Sequence, residues 1–203
     1  MKKHILIISL SMLLVSCLTD NSLDDTIFVH DANDHNLPAY TEWGYNSFGA
    51  NYERQYFVAT NDYVPCKIVQ KDGYINFMLI GNLNPSGIND NYKYGKFVLS
   101  ISFPYADALK NYSDLVALNK YVVDLTAQNC TVTWTVGEAE PTTIAVREGE
   151  LNFKRAQLLR VDGEIDRVIL SGTFYIKYLN NEIPESFDNG RFDLGLYKDY
   201  VSL

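Results

Sequence analysis

The chain has 203 residues, with 17 Lys plus Arg against 25 Asp plus Glu, and a formal net charge of −8. That balance argues against a nucleic-acid partner, whose phosphates need a basic footprint, and against electrostatic docking onto anionic lipid. The length suits one domain, or at most two small ones.

The chain opens Met1-Lys2-Lys3-His4, then runs apolar from Ile5 to Val15 except at Ser9 and Ser11, and stops at Ser16-Cys17. A charged head, a short apolar segment and a small residue before the cut are the parts of a secretory signal. The run is too short to span a bilayer, which takes ~20 apolar residues. Leu14-Val15-Ser16-Cys17 resembles the lipobox of bacterial lipoproteins. The resemblance implies that residues 1–16 are removed, that Cys17 carries a diacylglyceryl thioether, and that its new amino terminus is acylated. Each buried methylene contributes ~0.8 kcal/mol, so two or more chains anchor firmly where one does not. On this reading the mature protein meets the membrane through its lipid, and losing Lys2 and Lys3 takes its side-chain charge from −8 to −10.

Residues 17–40 read as an acidic tether, rich in Asp and Asn and poor in apolar side chains. Thr26-Ile27-Phe28-Val29 is the exception and has the composition of a short edge strand. Asp31-Ala32-Asn33-Asp34 shows part of the acid spacing of a calcium loop without its glycine, so no metal site is assigned.

From residue 41 to 203 the chain reads as a single all-β domain, because the apolar pattern takes period two. Strands are expected near 54–60, 65–70, 74–80, 96–103, 121–125, 129–136, 142–147, 150–160, 165–178 and 192–196. Phe97, Leu99, Ile101 and Phe103 share one face, and Val132, Trp134 and Val136 another. Asp72-Gly73 and Asp162-Gly163 supply the positive φ of tight hairpins. Gly172 falls inside the longest strand, where a bulge is tolerated. Residues 82–94 read as an exposed loop, and Ser113 as the N-cap of one short helix over Asp114 to Leu118. Many short strands without βαβ alternation predict an antiparallel β-sandwich, with a β-barrel as the alternative. Cys66 and Cys130 are either bridged or buried as small apolar groups.

The domain offers little reactive chemistry. His4 leaves with the signal, and His30 and His35 precede the domain, so a Ser-His-Asp or Cys-His arrangement has no base. No phosphate-binding glycine loop and no zinc-ligand spacing is present, and no cofactor is expected. Glu148 with Glu150, and Glu182 with Glu185, are the acid pairs that a glycosidase reading nominates, but each reads more simply as a solvated edge. The aromatic content is more suggestive: 15 Tyr, 10 Phe and 2 Trp. Trp43 and Tyr45, with Tyr92 and Tyr94 in the exposed loop, are the candidate ligand contacts, since rigid rings offer large area at low entropic cost.

Two segments carry a family resemblance. Trp43-Gly44-Tyr45-Asn46-Ser47-Phe48-Gly49-Ala50, and later Leu170-Ser171-Gly172-Thr173-Phe174 with Gly190-Arg191-Phe192-Asp193, resemble the opening and closing motifs of small Bacteroidetes lipoproteins of unknown function. Ser47 stands where that group has threonine, and Asn189 precedes the Gly-Arg pair. The resemblance implies an envelope or cell-surface lipoprotein and brings no activity with it. Asp25-Thr26-Ile27 is similar to the O-glycosylation motif of the same phylum, making Thr26 a candidate acceptor. Arg191 and Asp193, two apart on one strand face, suggest a salt-linked corner. The functional expectation is a non-enzymatic binding or adhesion module for a glycan or protein at the outer membrane or cell surface. A structural or accessory subunit of an envelope complex is the alternative, and a carbohydrate-active enzyme comes third.

Overall fold

The computed structural model describes residues 26–59, 64–85 and 96–203. Within them the strands are β1 (Ser47–Tyr52), β2 (Gln55–Ala59), β3 (Cys66–Lys71), β4 (Tyr74–Pro85), β5 (Phe97–Pro104) and β6 (Tyr121–Asp124). They continue with β7 (Thr131–Val136), β8 (Thr142–Ile144), β9 (Val146–Val161), β10 (Glu164–Asn180), β11 (Ile183–Leu196) and β12 (Val201–Ser202). A 3-10 helix, Tyr112–Leu118, precedes β6, and a shorter one, Lys198–Tyr200, precedes β12.

All strands belong to one sheet, ordered β6-β9-β10-β11-β1-β2-β4-β5-β7-β8, with β3 on the edge of β4 and β12 beside β3. Every pairing is antiparallel except that of β12 with β3. The sheet does not close between β6 and β8; it folds over so that its two halves face each other, giving a sandwich and not a barrel. The faces meet through rings: Phe77 of β4 lies 5.4 Å from Phe153 of β9 and 5.1 Å from Phe192 of β11. These rings are fully or almost fully buried, and each contributes about 1.5–3 kcal/mol by leaving water.

The alternation seen in the sequence is the alternation of burial: Phe97, Leu99, Ile101 and Phe103 are buried, while Val98, Ser100 and Ser102 are half-buried. Both Asp-Gly turns have positive φ at both central residues: Asp72 (52°) with Gly73 (79°), and Asp162 (52°) with Gly163 (88°). Gly172 sits where the β9–β10 register slips, and a Cβ there would lie 2.1 Å from the Asn152 carbonyl oxygen and 2.5 Å from the Phe192 ring. The ring of Phe192, its cross-strand partner, fills the space that a side chain would take.

Some expectations need correction. The helix begins earlier than predicted, with Asn111 as N-cap in place of Ser113, and Asp114 Oδ2 accepts the backbone N–H groups of Lys110 and Asn111. β4 continues through Pro85, so the first residues of the predicted 82–94 loop are strand; residues 86–94 lie outside the described residues. Cys66 and Cys130 are free thiols, the first buried and the second half-buried, and burial pushes both thiols up.

Of the expected tether, residues 17–25 lie outside the described residues. Residues 26–40 do not hang free but strap the outer face of β1 and β11. His30 and Pro38 form a β-bridge, the Asp31 N–H donates to the Leu37 carbonyl, and the Ala39 N–H donates to the Val29 carbonyl. Leu37 is fully buried, and Pro38 rests against Gly49, where a Cβ would approach its Cδ to 2.4 Å. The acidity that reads as disorder has a local use. Asp31 Oδ1 accepts the N–H groups of Asn33 and Asp34, Asp34 Oδ1 accepts that of Asn36, and Asp31 Oδ2 pairs with Arg191 at 2.5 Å.

Candidate functional site

The two motif segments meet. β1 pairs with β11 so that Ser47 faces Asp193 and Phe48 faces Phe192. Asp193 is 1% exposed, and its carboxylate accepts from Thr41 Oγ1 (2.5 Å), Ser171 Oγ (2.8 Å) and the backbone N–H groups of Trp43 (3.0 Å), Gly44 (2.8 Å) and Tyr45 (3.3 Å). Residues 41–45 therefore arch around one buried carboxylate. Gly44, at φ 77°, closes the arch against Ile169 and Gly195. Asn46, at φ 52°, holds its far side by accepting the Gly195 N–H. Arg191 is salt-linked as expected, but to Asp31, while Asp193 serves the arch instead. The motifs build a clasp.

A second arrangement lies on the outer face of β9, β10 and β11. Open clefts there share lining residues and form one connected surface; the largest has a volume of about 560 Å³. Its lining includes Tyr40, Glu150, Lys154, Tyr175, Lys177 and Asp188. Period two places these groups: Phe174 and Ile176 point to the core, so Tyr175 and Lys177 point away from it. Lys177 binds Glu148 Oε1 and Oε2, both at 3.1 Å, and lies 6.0 Å from the Tyr175 ring centroid. The hydrogen bond and charge of Glu148 raise the Lys177 pKa, so its ammonium persists. Tyr40 comes from the strap. Burial first, then the Glu42 carboxylate that accepts its hydroxyl at 2.8 Å, push its pKa up and keep the phenol neutral. Lys154 Nζ stands 5.1 Å above the Tyr40 ring, within cation–π range.

Where β10 turns into β11, Glu185 is held by three donors: Tyr178 (2.5 Å), Tyr52 (2.9 Å) and Asn180 (2.9 Å). Burial acts to raise the Glu185 pKa, but these hydrogen bonds outweigh it and hold the carboxyl below its usual range. Burial and the Glu185 contact push Tyr52 up to about 12. This carboxylate is spoken for, as is that of Glu148; neither nominated acid pair has two unengaged members.

Of the predicted contact residues, Trp43 and Tyr45 sit together in the arch. Cys17, Tyr92 and Tyr94 lie outside the described residues. Trp43 is 70% exposed at the crest of the arch, and Tyr45, half-buried, follows it. Neither lines the clefts. Thr26 is half-buried at the start of the strap. Tyr175, Lys177 and Lys154 were not predicted, although Tyr175 and Lys177 show in the alternation of residues 174–178 as the outward pair. Among the described residues no cluster of His, Cys, Asp or Glu is arranged to hold a metal, and no helix is long and apolar enough to cross a membrane. Compared with protein families, with curated proteins and with solved structures, the chain matches none.

Proposed function

We propose that the protein is a binding module, lipid-anchored through Cys17 at the outer membrane or cell surface, that engages a glycan on the outer face of β9, β10 and β11. The observation that supports this most is the connected cleft surface carrying Tyr40 and Tyr175 beside Lys154, Lys177, Glu150 and Asp188. A sugar ring offers a C–H face to an aromatic face and hydroxyls to charged neighbours, and this surface supplies both kinds of partner. The carboxylates of Glu148 and Glu185 are committed to intramolecular partners, which favours binding over acid–base chemistry.

A glycan array probed with the mature protein tests the reading. Binding to at least one polysaccharide class is expected, and Tyr175→Ala should weaken it about tenfold, the loss of ~1.4 kcal/mol of ring contact. The melting temperature should stay close to that of the parent, because Tyr175 faces outward. An array with no signal above background sinks the proposal.

A further inference from the structure

The strap fixes which end of the sandwich meets the membrane. The Ile27 N–H donates to the Tyr45 carbonyl at 2.8 Å, and Tyr45 precedes β1 at the end where Asn46 holds Gly195. The β1–β2 and β10–β11 turns lie at the opposite end, since Tyr52 pairs with Phe187 and Asn180 with Ile183. The chain reaches the domain at the Trp43 end. Nine residue steps separate Cys17 from Thr26, a span of at most about 30 Å even when fully extended.

That end shows an unusual surface. Between the Val29–Ala39 and Ile27–Tyr45 contacts, two residue steps along one arm of the strap face six along the other, so residues 40–44 form a loop out of register. Trp43 stands on this loop at 70% exposure, and Ile27 (49%) and Val29 (43%) are exposed on the arm that bonds to Tyr45 and Ala39. The backbone beneath is held by the buried Asp193 carboxylate. A large ring on a rigid support loses little entropy on contact. Exposed Leu179 and Ile183 mark the opposite tip, whereas the first described residues, from Thr26, join the domain at the Trp43 end.

We infer that Trp43, with Ile27 and Val29, is a membrane-contact patch that rests the anchored protein on the lipid headgroup region. The inference rests on the reading of Cys17 as the lipid anchor. Tryptophan suits that layer because its apolar ring and N–H can be satisfied together there. A chain of net charge −8 lacks the basic excess for electrostatic attachment, so the contact is apolar, and the short tether supplies the local concentration that a three-residue patch needs. The glycan-binding clefts then extend toward the end held away from the membrane.

The chain has two tryptophans, and the second, Trp134, stacks on Phe97 with ring centroids 5.6 Å apart. Phe97 contacts Tyr52 beside the β1–β2 turn, which places Trp134 away from the patch. In Trp134→Phe, Trp43 is the sole reporter; in Trp43→Phe, Trp134 is the control. The acylated full-length mature protein is reconstituted into phosphatidylethanolamine–phosphatidylcholine vesicles, with or without lipids brominated near the headgroup. Emission of Trp134→Phe should fall at least about twofold with brominated lipid, as for a ring at the interface, while Trp43→Phe should be unchanged. Flotation with the vesicles but no quenching of Trp43 overturns the patch and leaves the anchor standing. Concentration-dependent shielding of Trp43 from iodide without lipid quenching overturns it in favour of a second copy of the chain. Failure to float, with Cys17 bare of acyl groups by mass spectrometry, overturns the anchor and the patch with it.

Discussion

Asp193 gathers the arch, β10 and β11 onto one carboxylate. It is buried, accepts from five donors, and three of those are backbone N–H groups of consecutive residues in the arch. Leaving a buried donor unsatisfied costs about 1–3 kcal/mol. Asp193→Ala should therefore lower unfolding free energy by about 3 kcal/mol or more by urea titration. The loss should be local as well as global: hydrogen exchange should rise first at residues 41–46, and unchanged protection there would refute the clasp. Glu185 makes a prediction about pH. Its folded pKa is depressed below 4.5, so its contribution is present above the unfolded value and is lost as pH falls through the folded one. Glu185→Gln should be less stable than the parent at neutral pH, and the gap should narrow as the pH drops below about 4.5. A gap that widens on acidification would contradict the assignment.

At the scale of elements, the long β9–β10–β11 ribbon depends on its slips. The clash of a Cβ at Gly172 is with the backbone oxygen of Asn152 as well as the Phe192 ring, and backbone cannot swing aside. Gly172→Ala should cost about 3 kcal/mol, at the upper end for overpacking, seen as a lower urea midpoint with little change in slope. This glycine was legible in the sequence because it interrupts a clean alternation of large residues. The Asp-Gly turns were legible for the same kind of reason. The β10–β11 turn was not: Asn181 (φ 48°) and Glu182 (φ 70°) adopt the left-handed region with no glycine to announce it. The strap was misread because its composition is that of a solvated tether; its side-chain carboxylates satisfy their own turns, and the adjacent Leu37 and Pro38 carry the apolar anchor. Local pattern shows where chain can alternate, not which polar residues will find distant partners.

At the scale of the molecule, the sandwich followed from strand spacing and hairpin signals, whereas the strand order could not. β1 pairs with β11 across nearly the whole domain, with Ser47 opposite Asp193. The candidate surface is likewise assembled from afar, with Tyr40 brought by the strap to the outward faces of β9 and β10. Neither of its rings, Tyr40 and Tyr175, is among the ligand contacts that the sequence suggests. Charged residues such as Lys154 and Lys177 read in isolation as ordinary solvated positions, and only the folded sheet sets them over rings.

The strap also has a mechanical meaning. If the anchor holds one end of this protein and a polymer is gripped on its outer face, any pull between them travels through residues 26–46 before it reaches the sandwich. The Asp193 clasp, the Asp31–Arg191 pair and buried Leu37 lie in series along that path. Should the strap yield before the sheet, Tyr40 is drawn out of the cleft it lines, so tension would reshape that surface while lengthening the leash.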